Sequence, residues 1–142
     1  MGKSEGIQRA TLKSPKFPAM ARSLSNISSP FYRQCKIRFF YHEMGITWPT
    51  MYLRIEPTDY AKPPIDIWRM GERLPGLKNT GWRRESVDLP FMESDYYLRF
   101  DAVRFSVSEG NSGLDDISIT PQCFIQVENE LNAHLLLHLL LD

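Results

Sequence analysis

Two adjacent carboxylates, Asp115 and Asp116, stand inside an apolar frame, Leu114-Asp-Asp-Ile-Ser-Ile-Thr-Pro-Gln-Cys123. A carboxylate is costly to bury unless it is paired, hydrogen-bonded or bound to a metal, so this pair needs partners. The bland alternative is one Asp buried at a turn, accepting backbone hydrogen bonds, and one exposed. His134 and His138 have the i, i+4 spacing of zinc ligands on a helix. The zinc-protease pattern needs Glu directly after the first His, where Leu135 stands, and no third ligand is evident. Nucleophile arrangements also fail. There is no Gly-x-Ser-x-Gly and no Gly-rich phosphate loop. His42, the histidine nearest Cys35, falls on the opposite strand face from it. The chain reads as non-enzymatic.

Cys35 and Cys123 are the two cysteines. Number alone leaves a disulfide and two separate thiols equally open. A cross-link would constrain the unfolded chain by about 4–5 kcal/mol in the entropy account. Asn26-Ile27-Ser28 is a glycosylation sequon. Trp48, Trp68 and Trp82 invite comparison with a sugar-stacking platform, although core tryptophans are the commoner use in β-sandwiches. Trp48, beside Pro49 in a loop, is the candidate for an exposed surface contact.

The elements that must position these residues are short strands. Cys35, Ile37, Phe39 and Tyr41 share one face, with Lys36, Arg38 and His42 on the other. Met51, Leu53 and Ile55 alternate with Tyr52 and Arg54. Ile65-Asp-Ile-Trp68 is a third strand, and 82–89 a fourth with Val87 and Leu89 inward. The run 96–106 is the longest β-prone stretch. Its apolar parity shifts from Tyr96, Leu98 and Phe100 to Val103 and Phe105, which predicts a bulge or bend near Asp101-Ala102. Ile117 and Ile119 alternate with Ser118 and Thr120, as in a strand buried on one face. Ala10-Thr-Leu-Lys-Ser14 is a further short strand, and 23–30 a loop. Six or seven strands separated by turns indicate an all-β antiparallel sandwich or barrel.

The 142 residues suffice for one core. Seventeen basic and seventeen acidic residues cancel, which excludes a nucleic-acid role resting on bulk positive charge. Residues 1–6 read as disordered and lack the apolar core of a secretory signal. No run of eighteen apolar residues exists, so no membrane span is expected within the chain. Residues 124–142 form a leucine-rich tail, expected as a short helix outside the sandwich. It reads as a truncated or mis-spliced end, or as a segment that docks elsewhere.

Cys35-Lys-Ile-Arg-Phe-Phe-Tyr-His42, Gly45, Met51-Tyr-Leu-Arg-Ile55, Ile67-Trp68, Gly81-Trp82, Tyr97-Leu-Arg-Phe100 and Gly113-Leu-Asp-Asp-Ile-Ser-Ile119 before Cys123, in this order, resemble the MAM domain. That family is named after meprin, the A5 neuropilin antigen and receptor tyrosine phosphatase mu. Ala10-Thr-Leu-Lys-Ser-Pro15 is similar to a short motif upstream in the family. Thr120-Pro-Gln-Cys-Phe124 is similar to the end of the domain in receptors like anaplastic lymphoma kinase. The resemblance covers roughly residues 7–123. It implies a jelly-roll β-sandwich, a Cys35–Cys123 disulfide, and a core position for Trp82. It also implies an extracellular, non-catalytic adhesion or receptor-assembly module of a larger cell-surface protein. Its partners would be other surface proteins or another copy of itself. Some relatives hold calcium with carboxylates near this point, which makes Asp115 and Asp116 calcium-ligand candidates; Glu93, Asp101 and Glu109 are the acids considered for completing the site. The family's opening cysteine pair and its Phe-Glu element have no counterpart before Ala10, so the resemblance also implies truncation at the N-terminal end. The readings from other classes are a carbohydrate-binding jelly roll and an intracellular sandwich with free thiols.

Overall fold

The computed structural model describes residues 8–45, 50–70, 81–104 and 110–125. Seven strands form in chain order: β1 (Gln8–Lys13), β2 (Lys36–Gly45), β3 (Thr50–Pro57), β4 (Ile65–Arg69), β5 (Arg83–Asp88), β6 (Tyr96–Arg104) and β7 (Gly110–Ile119). Two 3₁₀ turns, Arg22–Ser25 and Pro121–Phe124, interrupt the connections. The strands make two antiparallel sheets, ordered β1-β6-β3-β4 and β5-β2-β7, packed as a jelly-roll-type sandwich.

Side-chain alternation explains how the sheets face each other. β2 buries Ile37, Phe39 and Tyr41, while β3 buries Met51, Leu53 and Ile55. Phe39 packs edge-on against Trp68 of β4 (4.9 Å between ring centres) and Phe100 of β6 (5.0 Å). Those two strands flank β3, so β2 crosses above β3. A cleft lined by Ile65 and Ile67 of β4 and by Asp88 at the end of β5 puts β5 above β4. β7 therefore lies on the β6 side, and among the described residues no strand covers β1. Leu12 pairs with buried Phe100 yet stays half exposed for that reason.

One end of the sandwich is clasped. Cys35 and Cys123 form a disulfide with their Cα atoms 4.6 Å apart. The buried Thr120 hydroxyl accepts the Lys36 N–H (2.8 Å) and donates to the Gln34 carbonyl (2.7 Å). The Thr120 N–H donates to the Lys36 carbonyl, and the Leu89 N–H to that of Cys35. The entry to β2, the exit of β7 and the end of β5 are thus tied at one place.

Three sequence expectations need correction. β6 pairs with β3 and β1 in unbroken register through Asp101 and Ala102, so no bulge forms there. Val103 simply belongs to the outer face with Arg99 and Asp101. The bulge is instead in β7, where Arg38 pairs with Ser118 but Phe40 with Asp115. Two residues, Asp116 and Ile117, oppose Phe39, and Asp116 takes φ 50°. Asp tolerates that left-handed conformation better than most residues. The extra residue reverses the parity of β7, so Leu114 and Ile119 both reach the core and Ile117 is exposed. Trp82, expected in the core, is 53% exposed on the outside of the smaller sheet. The expected helix in the leucine-rich tail lies outside the described residues.

Tyr96 is fully buried against Phe17, and its hydroxyl finds no hydrogen-bond partner among the described residues. Burial raises its pKa from 10.0 to about 12. An unpaired buried hydroxyl is a net cost. Tyr96→Phe is expected to raise unfolding free energy by about 1 kcal/mol in urea titrations. Below pH 10.0 the unfolded phenol is neutral like the buried one; above it the unfolded form ionises first. The wild type therefore loses stability as pH rises from 10.0 toward about 12, and the Phe variant lacks that contribution.

Candidate functional site

The outer face of β5-β2-β7 carries a half-exposed aromatic side chain seated on the sheet, Trp82. Phe40 of β2 pairs with Arg84 of β5 on one side and Asp115 of β7 on the other. One row along, His42 pairs with Gly113. Trp82, just before β5, sets its ring 5.2 Å from that of His42 and reaches across to Gly113. A Cβ on Gly113 would meet the indole at 3.2 Å. Glycine here lets the ring settle close to the sheet while half of it remains in solvent. Arg38 and Arg84 are exposed on the β2 and β5 flank, Asp115, Asp116 and Ile117 on the β7 flank. The face is an aromatic strip with basic and acidic margins.

The outer face of the larger sheet is built differently. Asp101, only 8% exposed, sits at the floor of a depression of about 440 Å³. Its Oδ1 accepts from the Thr11 hydroxyl (2.7 Å), and its Oδ2 from Arg99 Nε (2.7 Å) and Arg54 Nη1 (3.2 Å). Arg54 also donates to Asp66, and Arg99 to Glu56, which Lys13 approaches from β1. Tyr52 presents its ring to Arg54 and Arg69, and Tyr97 its ring to Lys13. Burial alone would raise the Asp101 pKa, but the Thr11 and Arg99 bonds and the charge of Arg54 outweigh it, and the net shift is downward. The Lys36 bond, helped by Arg33, likewise lowers Asp88. Hydrogen bonding and charge from Asp66 and Asp101 raise Arg54 against its own desolvation.

The other sequence candidates fall as follows. Asp115 and Asp116 are both exposed, so neither is the buried turn acid, and Asp115 Oδ1 accepts the Asp116 N–H at 2.8 Å. Asp101 belongs to the other sheet's outer face and cannot join them; Glu109 lies outside the described residues. Among the described residues no three His, Cys, Asp or Glu side chains gather as metal ligands. Calcium takes six to eight oxygens, so this pair alone does not fit a resident ion. Asn26 is exposed, and its carboxamide oxygen accepts the Ser28 N–H. Trp68 packs on the core through Phe39 and Tyr41. Trp48, His134 and His138 lie outside the described residues. Sequence reading missed the Trp82–His42–Gly113 row and the Asp101 network. A signal existed for the first: with β2 and β7 paired, a glycine opposite His42 marks a place where something large lies down.

The fold and its disulfide define an extracellular type of β-sandwich. The family model described as MAM domain, meprin/A5/mu matches residues 2–124. The chain belongs to the MAM domain family, whose members are non-catalytic extracellular interaction modules. No helix among the described residues is long and apolar enough to cross a membrane.

The Asp101 network sets an acid-side expectation. A carboxylate with a lowered folded pKa contributes stability that is complete above the unfolded value, about 4. The contribution is lost as pH falls through the lower folded value. Asp101→Asn should cost about 3 kcal/mol at neutral pH and flatten the acid limb of a urea-unfolding series. An acid limb as steep as that of the wild type would contradict the assignment.

Proposed function

We propose that this domain is the interaction module of a cell-surface receptor or adhesion protein, and that it holds protein partners through the outer face of β5-β2-β7. Membership of the MAM family supports the general role. The observation that supports the face is the half-exposed Trp82, seated on Gly113 and His42 between the Arg84 and Asp115 flanks. Trp and Arg dominate the energetically decisive positions of protein interfaces. A pre-seated indole loses little freedom on binding. The partners are extracellular proteins, among them a second copy of this chain. The ending at Thr120-Pro-Gln-Cys-Phe124 favours a parent similar to anaplastic lymphoma kinase-like receptors.

Trp82→Ala should leave the fold intact, because the residue is not in the core, and weaken partner binding by about 2 kcal/mol, roughly thirtyfold. Self-association by sedimentation velocity and binding to a surface-displayed ectodomain panel measure it. A partner held equally by wild type and variant would sink the face assignment.

Two modifications complete the reading. Asn26 carries an N-linked glycan, supported by an exposed sequon held in a local turn. Calcium at Asp115 and Asp116 is a secondary reading that needs oxygens from beyond the described residues. Secreted protein tests both together. A mobility shift on glycosidase treatment that survives Asn26→Gln rejects the first, and an unchanged Tm in millimolar calcium rejects the second.

A further inference from the structure

We propose that the outer face of the four-stranded sheet binds an anionic oligosaccharide, with its sulfate or carboxylate groups seated among Arg9, Arg54 and Arg99. The depression there, about 440 Å³, lies within the size range of small-ligand sites. Three of its lining residues are arginines, and the one acid, Asp101, is nearly buried beneath them. Its charge thus serves to fix Arg54 and Arg99 rather than to repel a ligand from solvent. Each guanidinium has five N–H donors. The carboxylates engage two on each, through Asp66 and Asp101 for Arg54 and through Asp101 and Glu56 for Arg99, so donors remain for a ligand. A planar guanidinium fork matches sulfate and carboxylate oxygens better than an ammonium does. Holding it in place before binding removes an ordering cost.

The rest of the lining argues for a sugar and against a protein. Thr11, Thr50 and Tyr52 bring hydroxyl groups, and Val103 is the one aliphatic side chain in the lining. Protein interfaces are anchored by desolvated apolar or aromatic groups, and the half-exposed Trp82 is on the opposite face of the sandwich. Arg9 comes from β1, which no other strand among the described residues covers, and it stands exposed at the rim. It is the cation a ligand can engage without disturbing the Asp101 network. This inference is independent of the Trp82 reading.

The test is calorimetric titration of the intact protein with a size-defined heparin hexasaccharide at about 0.15 M salt, where exposed charges more than about 8 Å apart are largely screened. Inorganic sulfate and a neutral cellulose hexasaccharide are the comparison ligands. Heparin is expected to bind, the neutral sugar not to bind, and sulfate to compete only weakly. Arg9→Glu should weaken heparin binding by about tenfold or more with an unchanged Tm. Arg84→Glu, the same charge change on the other sheet, should hold it within about twofold, as should Trp82→Ala. The absence of heparin binding overturns the proposal. Equal losses in Arg9→Glu and Arg84→Glu overturn it too, since they mean diffuse charge. Displacement by sulfate as effective as by heparin reduces the site to a simple ion site, and equal binding of the neutral sugar removes the role of charge.

Discussion

The clasp at Cys35, Thr120 and Cys123 is the constraint from which the rest of the molecule takes its register. β2 is the central strand of the smaller sheet, and both its neighbours are fixed beside the disulfide. The covalent link closes a loop of 88 residues, worth about 4–5 kcal/mol in the entropy account. Thr120 adds specificity that the sulfur bridge lacks. Its backbone and hydroxyl bond to residues 34 and 36, so β7 cannot slide along β2 by one position without leaving a buried hydroxyl unsatisfied. A one-residue slip would also turn every side chain of the strand to the wrong face.

With one end locked, β7 still has to bring both Leu114 and Ile119 to the core. They are separated by an odd number of positions, and a regular strand would send them to opposite faces. The bulge at Asp116 resolves this conflict. It costs a left-handed residue and the exposure of Ile117. In exchange it completes the packing under Phe39 and sets Asp115 outward beside Phe40. The same shift decides that Gly113, rather than a side chain, stands opposite His42. The seat of Trp82 is therefore a consequence of a packing requirement two pairs away, which links the core to the proposed contact face.

Much of the fold was legible because the central strands obey simple alternation. Cys35, Ile37, Phe39, Tyr41 and Met51, Leu53, Ile55 are buried as their period of two requires. The disulfide followed from resemblance and not from spacing, since two cysteines permit either state. An apolar side chain does not by itself mark the inner face of a strand. The apolar parity implies an inward Val103 and a bulge in β6, yet Val103 lies outside, where Asp101 is buried by arginines from two strands. No local pattern reveals that, because the burial of Asp101 depends on Thr11 and Arg54, which are 90 and 47 positions away. Trp82 departs from the core position that the resemblance implies, because exposure is decided by which side of the sheet that row faces. Asp115 and Asp116 stand in a strand at a bulge rather than at a turn, and no local pattern reveals this, because a bulge is set by pairing with β2.

The two outer faces also differ in how they use charge, and this difference shapes what each can meet. On the larger sheet, Arg54, Arg99 and Lys13 are already committed to Asp101, Asp66 and Glu56, so the network is stiff and its excess positive charge sits at β1. β1 is an edge strand, uncovered by the other sheet, and such edges invite pairing with a second chain. Its charged residues are Arg9 and Lys13, with no acid among its six positions. Two such edges laid together would bring only like charges face to face. The basic strand thus discourages sheet-to-sheet aggregation at the place where the sandwich is least covered. On the smaller sheet, Arg84 and Asp115 flank Phe40 from opposite strands, so that face favours association through side chains over its edges. The proposed protein contact thus lies away from the edge strand β1, on the face where the indole is already in place.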